Sequence, residues 1–176
     1  MYTYLIRGSA ATGLLCAAAS LQIHPSISST SASFLGVSYD LLILGYVSSL
    51  ATKLSDTFAS EIGKAYGKTT FLITSFERVD PGTEGAVSAE GTAAAAIGGS
   101  FLPIYALGIG LIHDWTSVGI ATLAAFLATN AESVIGAVLQ GKKGFEWMTN
   151  EVVNFINTVI GAGIAISLGQ LLLVGL

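Results

Sequence analysis

The sequence predicts an all-α fold: a polytopic membrane helix bundle of about five transmembrane helices, forming a single integral-membrane domain over residues 1–176. Three observations predict it. Hydrophobic residues make up 52% of the 176 and charged residues 10%, with a mean hydropathy of +0.73, whereas a soluble domain carries roughly 25% charged residues. Five apolar stretches each approach the ~20 residues that a bilayer requires. When five spans are drawn, all seven Lys and Arg residues fall on one side of the membrane. The 21 glycines are spread through the apolar segments, where small residues let membrane helices approach closely. A net charge of −4 argues for no charged partner, and no nucleic acid is expected. The single cysteine, Cys16, excludes an internal disulfide and most cysteine metal sites.

The first span, residues 8–22, is short and rich in small residues, and His24-Pro25 ends it before a Ser-rich polar loop. Arg7 precedes this Ala-rich segment without a polar cleavage region after it, so no cleavable signal peptide is expected. The second span covers 34–60, with LLILGYVSSLA as its apolar centre. Residues 61–84 are the longest polar segment. The third span, 85–112, is Ala- and Gly-rich and contains Pro103 as an expected kink. His113-Asp114-Trp115 is a short turn, 116–140 the fourth span, 141–150 a second polar loop, and 151–174 the fifth span. Arg7, Lys53, Lys64, Lys68, Arg78, Lys142 and Lys143 then share one face, which the positive-inside rule makes the cytosolic or stromal one.

Polar residues gather toward that face on four of the spans. In the second, Asp56, Ser60, Gly63 and Lys64 stand at i, i+4, i+7 and i+8, along one helical side. Ionisable residues within a span are expensive and mark function by default; Lys53, one turn before Asp56, also permits a structural ion pair. The third opens at Pro81-Gly82, with Thr83, Glu84 and Gly85 as its first turn, where free backbone N–H groups favour phosphate. Ser88, Gly91 and Thr92 continue that side, with Glu90 nearby; no Walker-type loop is present. The fourth carries Thr129, Glu132, Ser133, Gly136 and Gln140, and the fifth Asn150, Asn154, Asn157 and Gly161. Asp56, Glu90 and Glu132 are therefore candidate ligands of Mg²⁺, which prefers oxygen donors and shares them with phosphates. Lys64, Lys68 and Arg78 are candidates to neutralise phosphate charge. Together these are the parts of phosphoryl transfer, in which catalysis is mostly positioning and charge neutralisation, with an acceptor whose apolar tail enters from the lipid.

The stretches KLSDTFASEIGKAYGKTTFLIT, PGTEGAVSAEGT, ESVIGA and KGFEWMTNEVVNFIN resemble the plastid phytyl-phosphate kinases of plants and algae. Those belong to a wider integral-membrane family found also in bacteria and animals. The wider family is distantly similar to phytol and dolichol kinases, which share an Asp-x-x-Ala-Ser-x-x-Gly pattern and prefer CTP; here it is Asp56, Ala59, Ser60 and Gly63. The resemblance covers the chain from about residue 7 onward and lacks the family's N-terminal spans. It implies a chloroplast membrane kinase, of envelope or thylakoid, that adds a phosphate from a nucleotide, CTP favoured, to phytyl (prenyl) monophosphate. The diphosphate product would feed tocopherol and phylloquinone synthesis. By this analogy Asp56, Lys64 and Glu132 would be catalytic. Lys68, Glu84, Ser88 and Thr92 would line the same pocket, and by residue type and spacing Ser60, Gly63, Arg78, Gly82, Thr83, Asn154 and Asn157 join them as nucleotide-binding candidates, with Mg²⁺ on Asp56, Glu90 and Glu132. The alternative is a non-catalytic structural or assembly subunit of a larger, photosynthetic membrane complex. A transporter of small anions is the third reading, and the clustering of polar groups at one face counts against it.

Overall fold

A computed structural model describes Cys16, residues 33–34 and residues 37–174. Arg7 and the predicted span 8–22, Cys16 apart, lie outside the described residues. A short antiparallel pair, β1 (Ser33–Phe34) and β2 (Val37–Ser38), leads into α1 (Tyr39–Tyr66). A hairpin of β3 (Thr70–Leu72) and β4 (Ala86–Ser88) follows, then α2 (Ala89–Gly108), α3 (Trp115–Leu139) and α4 (Asn150–Gly169). A wider, π-type turn continues α4 over Gln170–Val174.

α1 is the axle of the described bundle and packs against α2, α3 and α4. Ser38 starts it, its Oγ accepting from the Leu41 N–H at 3.5 Å, and Gly67 ends it, its N–H bonding the Gly63 carbonyl at 3.0 Å. At 28 residues it is about 42 Å long. Its first half is apolar: Leu41, Ile43, Leu44 and Val47 join Ile120, Ala121, Ala124 and Ala165 in the core. From Ser48 onward it buries polar groups, and these tie the helices together. Ser48 Oγ donates to the Gly161 carbonyl (3.0 Å), Ser55 Oγ to the Ala95 carbonyl (2.9 Å), and Thr129 Oγ1 to Ser55 Oγ (3.0 Å). Such bonds are worth about 1 kcal/mol each between membrane helices and fix their relative depth.

The all-α, polytopic class of the prediction holds. α2, α3 and α4 with its extension (Asn150–Leu173) are long and apolar enough to cross a membrane. α1 is longer, but carries Asp40, Lys53, Asp56, Glu61 and Lys64 and is shielded by the other three. The predicted spans 116–140 and 151–174 match α3 and α4 to within one residue at their starts.

The start of the third span differs from the prediction. Thr83, Glu84 and Gly85 do not open a helix; they end the hairpin loop. Gly85 has a φ of +77°, outside helical space, and a side chain there would meet Ala137 Cβ at 2.4 Å. Ala86–Ser88 then pair antiparallel with β3, in the register Thr70↔Ser88, Phe71↔Val87, Leu72↔Ala86. The helix begins only at Ala89, with Ser88 as its cap accepting from the Gly91 N–H at 3.1 Å. α2 and α1 cross where Gly91 meets Gly63; a Cβ on Gly91 would stand 2.7 Å from the Ala59 carbonyl oxygen.

Candidate functional site

Where the second half of α1, the hairpin and the adjoining ends of α2, α3 and α4 converge, they enclose a cavity of about 550 Å³. α1 contributes Lys53, Asp56, Thr57, Ser60, Glu61, Gly63 and Lys64, which recur along one face through its last three to four turns. The hairpin adds Thr70, Gly82, Thr83, Glu84 and Gly85. Ser88, Gly91 and Thr92 bring the start of α2 to the wall, and Thr92 Oγ1 bonds the Ser88 carbonyl at 2.8 Å. α3 supplies Thr129, Asn130, Glu132, Ser133 and Gly136, and α4 supplies Asn150 and Asn154.

A charged triad lies along the inner wall. Lys53 Nζ donates to Asp56 Oδ2 at 2.9 Å and also to Asn154 Oδ1, bridging α1 to α4. Asn154 is held in turn by its Nδ2, which donates to the Asn150 carbonyl at 2.8 Å. Lys53 and Asp56 are both largely enclosed, their side chains 16% and 12% exposed. Glu132 brings a second carboxyl against Asp56 from α3, with Lys53 and Glu84 also within electrostatic range. Nearer the mouth, Lys64 Nζ stands 3.9 Å from Glu61 Oε1, both exposed. Among the described residues the lining therefore holds two cationic side chains (Lys53, Lys64) against four carboxyl groups (Asp56, Glu61, Glu84, Glu132).

Of the residues that the sequence singled out, Asp56, Ser60, Gly63, Lys64, Gly82, Thr83, Glu84, Ser88, Thr92, Glu132 and Asn154 meet at this cavity. Lys68, Arg78, Glu90 and Asn157 do not. Gly67 ends α1, so Lys68 falls in the exposed turn toward β3. Arg78 bridges Phe71 through the backbone on the outer hairpin and is exposed. Glu90 lies one helical step, about 100°, from the cavity-facing Gly91. Asn157 is fully buried behind the wall. The expected three-carboxylate metal set is accordingly not assembled: among the described residues no group of three or more His, Cys, Asp or Glu side chains could hold an ion. Asp56 and Glu132 remain as a facing pair. That pair still suits Mg²⁺, which takes one or two protein carboxylates and completes its shell with phosphates and water.

Lys53 is the main residue missing from the predicted site; its spacing to Asp56 suggested only an ion pair. Thr57, Thr70 and Asn130 also line the cavity. Thr57 could have been found one residue beyond Asp56, whereas Thr70 gave no local signal.

The profile of the integral membrane protein DUF92 family matches residues 5–162. The chain belongs to this family. It is 60% identical over 127 residues to an uncharacterized membrane protein of Synechocystis, an alignment covering 72% of this chain and 48% of the relative. It is 44% identical over 167 residues to the chloroplastic protein VTE6 of Arabidopsis thaliana, covering 94% of this chain and 47% of that protein. An uncharacterized membrane protein of Methanocaldococcus jannaschii is 35% identical over 128 residues, covering 73% and 52%. The chain thus spans about half the length of the curated relatives it matches. No solved structure matches it. The similarity to a plant chloroplast protein extends over nearly the whole chain, in keeping with the resemblance to plant and algal members.

Proposed function

We propose that this chain carries the nucleotide and phosphate site of a membrane kinase that converts phytyl or another prenyl monophosphate to the diphosphate. CTP is the favoured donor, and a photosynthetic membrane is the setting. The observation that carries this reading is the meeting of Lys53, Asp56, Glu132, Lys64 and the capped start of α2 in one polar cavity between apolar helices. The 44% identity to a chloroplastic protein supports the setting.

The chemistry follows from the lining. A terminal phosphoryl group passes from the nucleotide to a phosphate oxygen of the acceptor; one P–O bond forms, the β–γ bridge breaks, and the nucleoside diphosphate leaves. Lys53, held by Asp56 and Asn154, offers a fixed positive charge to a non-bridging oxygen. Lys64 serves the same end at the mouth, where its exposed side chain can swing. The start of α2 adds the positive end of a helix dipole and backbone N–H groups. Asp56 and Glu132 would hold Mg²⁺, which when bound neutralises phosphate charge. Asn130 Nδ2 has a second N–H to donate to the acceptor phosphate, and the Thr57 and Ser60 hydroxyls can turn to it from the Lys53 and Thr57 carbonyls they bond, while its tail stays in the apolar surroundings.

The test is direct. Purified protein in lipid nanodiscs, given CTP, Mg²⁺ and phytyl monophosphate, is expected to form phytyl diphosphate. Asp56→Asn should lower turnover by about 100-fold or more, the scale of losing a group that organises transferred charge, with the protein still folded. Full activity in Asp56→Asn would overturn the site. Wild-type protein that binds no nucleotide but co-purifies with a large membrane complex would favour an assembly subunit instead.

A further inference from the structure

Asn157 on α4 is 0% exposed, and neither its Nδ2 nor its Oδ1 has a hydrogen-bond partner among the described residues. Its place is set by its neighbours on the same helical stripe. Asn154, three residues before it, accepts from Lys53 on α1. Gly161, four residues after it, lies so close to Thr52 that a Cβ there would stand 2.0 Å from Thr52 Oγ1. Asn157 therefore faces α1 at the turn of Thr52 to Asp56, just behind the cavity wall. That turn is polar: Thr52 and Ser55 are fully buried hydroxyls, and Asp56 is a buried carboxyl.

An amide sealed away from water with both polar atoms unpaired is strongly disfavoured, and native proteins satisfy such groups, with ordered water where no side chain reaches. A buried water typically makes about three hydrogen bonds. Asn157 offers a donor and an acceptor. Thr52 Oγ1 donates its proton to the Ser48 carbonyl at 2.8 Å, which leaves its lone pairs free to accept. Asp56 has carboxylate lone pairs beyond the one taken by Lys53.

We propose that Asn157 holds ordered water between α1 and α4, and that this water joins Asn157 to the Lys53–Asp56 pair. Asn157 is then a positioning residue: it fixes the pair from behind, as Asn154 does from the cavity side. This inference concerns hydration of the bundle and stands whether or not the cavity binds a nucleotide.

Water-edited solid-state NMR on the wild-type protein in bilayers tests it. Magnetisation from water should reach the Asn157 side-chain amide about as fast as that of Asn154, which lines the cavity. It should arrive several-fold faster than at the buried backbone of Ala165. Build-up at Asn157 as slow as at Ala165 would show a dry amide and overturn the proposal. Asn157→Leu, which expels the water, should shift the Lys53 ¹⁵Nζ resonance and leave that of Lys64 unchanged. Asn157→Thr, which keeps a hydroxyl, should shift Lys53 less. An unmoved Lys53 signal in either folded variant would overturn the positioning role. The wild-type measurement needs no substitution, so the water site is decided even where a variant fails to fold.

Discussion

Lys53 is the residue whose removal should hurt this fold most for its size. It is the one cation against two carboxyls, bonded to Asp56 at 2.9 Å with Glu132 pressed against the same group. Removing one partner of a buried ion pair costs roughly 3–5 kcal/mol, because the other charge is left uncompensated. The two ends of this pair are not equivalent. Asp56→Asn leaves Lys53 with Asn154 as an acceptor and relieves the crowding against Glu132, so its cost should fall to about 1–2 kcal/mol, below that range. Lys53→Met strands Asp56 beside Glu132 with no cation between them, and about 3–4 kcal/mol is the expected loss. In Lys53→Met/Asp56→Asn the stranded charge is gone, so the double variant should lose about 2 kcal/mol less than the two single losses added together, or about 3 kcal/mol, within the usual coupling range of contacting residues.

Thermal and SDS-driven unfolding in mixed micelles, followed by tryptophan fluorescence, ranks the three variants. The expected order of stability is wild type, Asp56→Asn, the double variant, then Lys53→Met. If Asp56→Asn were as damaging as Lys53→Met, or if the two losses simply added, the picture of one lysine compensating two facing carboxyls would be wrong.

Three further outcomes follow from the packing and caps. Gly161→Ala puts a methyl 2.0 Å from Thr52 Oγ1 and should cost about 1–3 kcal/mol by overpacking; adding Thr52→Ala should recover most of it in the same unfolding assay. Gly85→Ala meets Ala137 and the Ser133 carbonyl at 2.4 and 2.6 Å at a φ of +77°, so it should lift the hairpin from α3, seen as faster proteolysis between residues 73 and 85. Asp114→Ala removes the α3 cap, whose carboxylate accepts from Ser117 N and Oγ at 2.7 and 2.8 Å, for a loss of about 1 kcal/mol. Burial pulls the Asp114 carboxyl upward, but the Ser117 N–H and hydroxyl, the Thr116 N–H and His113 outweigh it and hold it below its ordinary value. A depressed folded value means the cap's contribution is complete above the unfolded value of about 3.9 and fades as pH falls through the folded one. The gap in melting temperature between wild type and Asp114→Ala should therefore close below about pH 3.9.

What the sequence made legible were features with a helical period or a bulk composition. Apolar runs of membrane length gave α3 and α4 nearly to the residue, and the i, i+4, i+7, i+8 spacing placed Asp56, Ser60, Gly63 and Lys64 on one cavity-facing side. What it hid depended on contacts distant in the chain. Ala86–Ser88 sit between glycines in a run of small residues that reads equally well as a helix. Only their pairing with Thr70–Leu72, more than a dozen residues earlier, makes them a strand. Residue type alone puts Glu90 in the site, yet one helical step decides whether a side chain faces Gly63 or turns away. Charge alone puts Lys68 and Arg78 in the site, but the hairpin that carries them is itself the non-local element, and both are exposed. Lys53 was visible throughout; that it reaches α4 through Asn154 could not be read from α1 alone.

The displacement of Lys68 and Arg78 changes how an anion could enter. Had both lined the cavity, four cations would have balanced four carboxylates, and a triphosphate could have bound by charge alone. Among the described residues, Lys53 and Lys64 alone face four lining carboxyls, and a nucleotide triphosphate would add about four negative charges to that excess. Like charges at such separations in a partly enclosed site cost several kcal/mol, so the nucleotide must bring a cation. On the proposed function, CTP is expected to bind in equilibrium dialysis with Mg²⁺, and removing the metal with EDTA to weaken binding by about 100-fold or more, equivalent to about 2.7 kcal/mol. Glu132→Gln removes one carboxyl of the facing pair. It should therefore weaken binding with Mg²⁺. Equal affinity for metal-free CTP and Mg²⁺-CTP in the wild type would show that the lining charge does not govern entry. The assignment of Asp56 and Glu132 to the metal would then lose its physical basis.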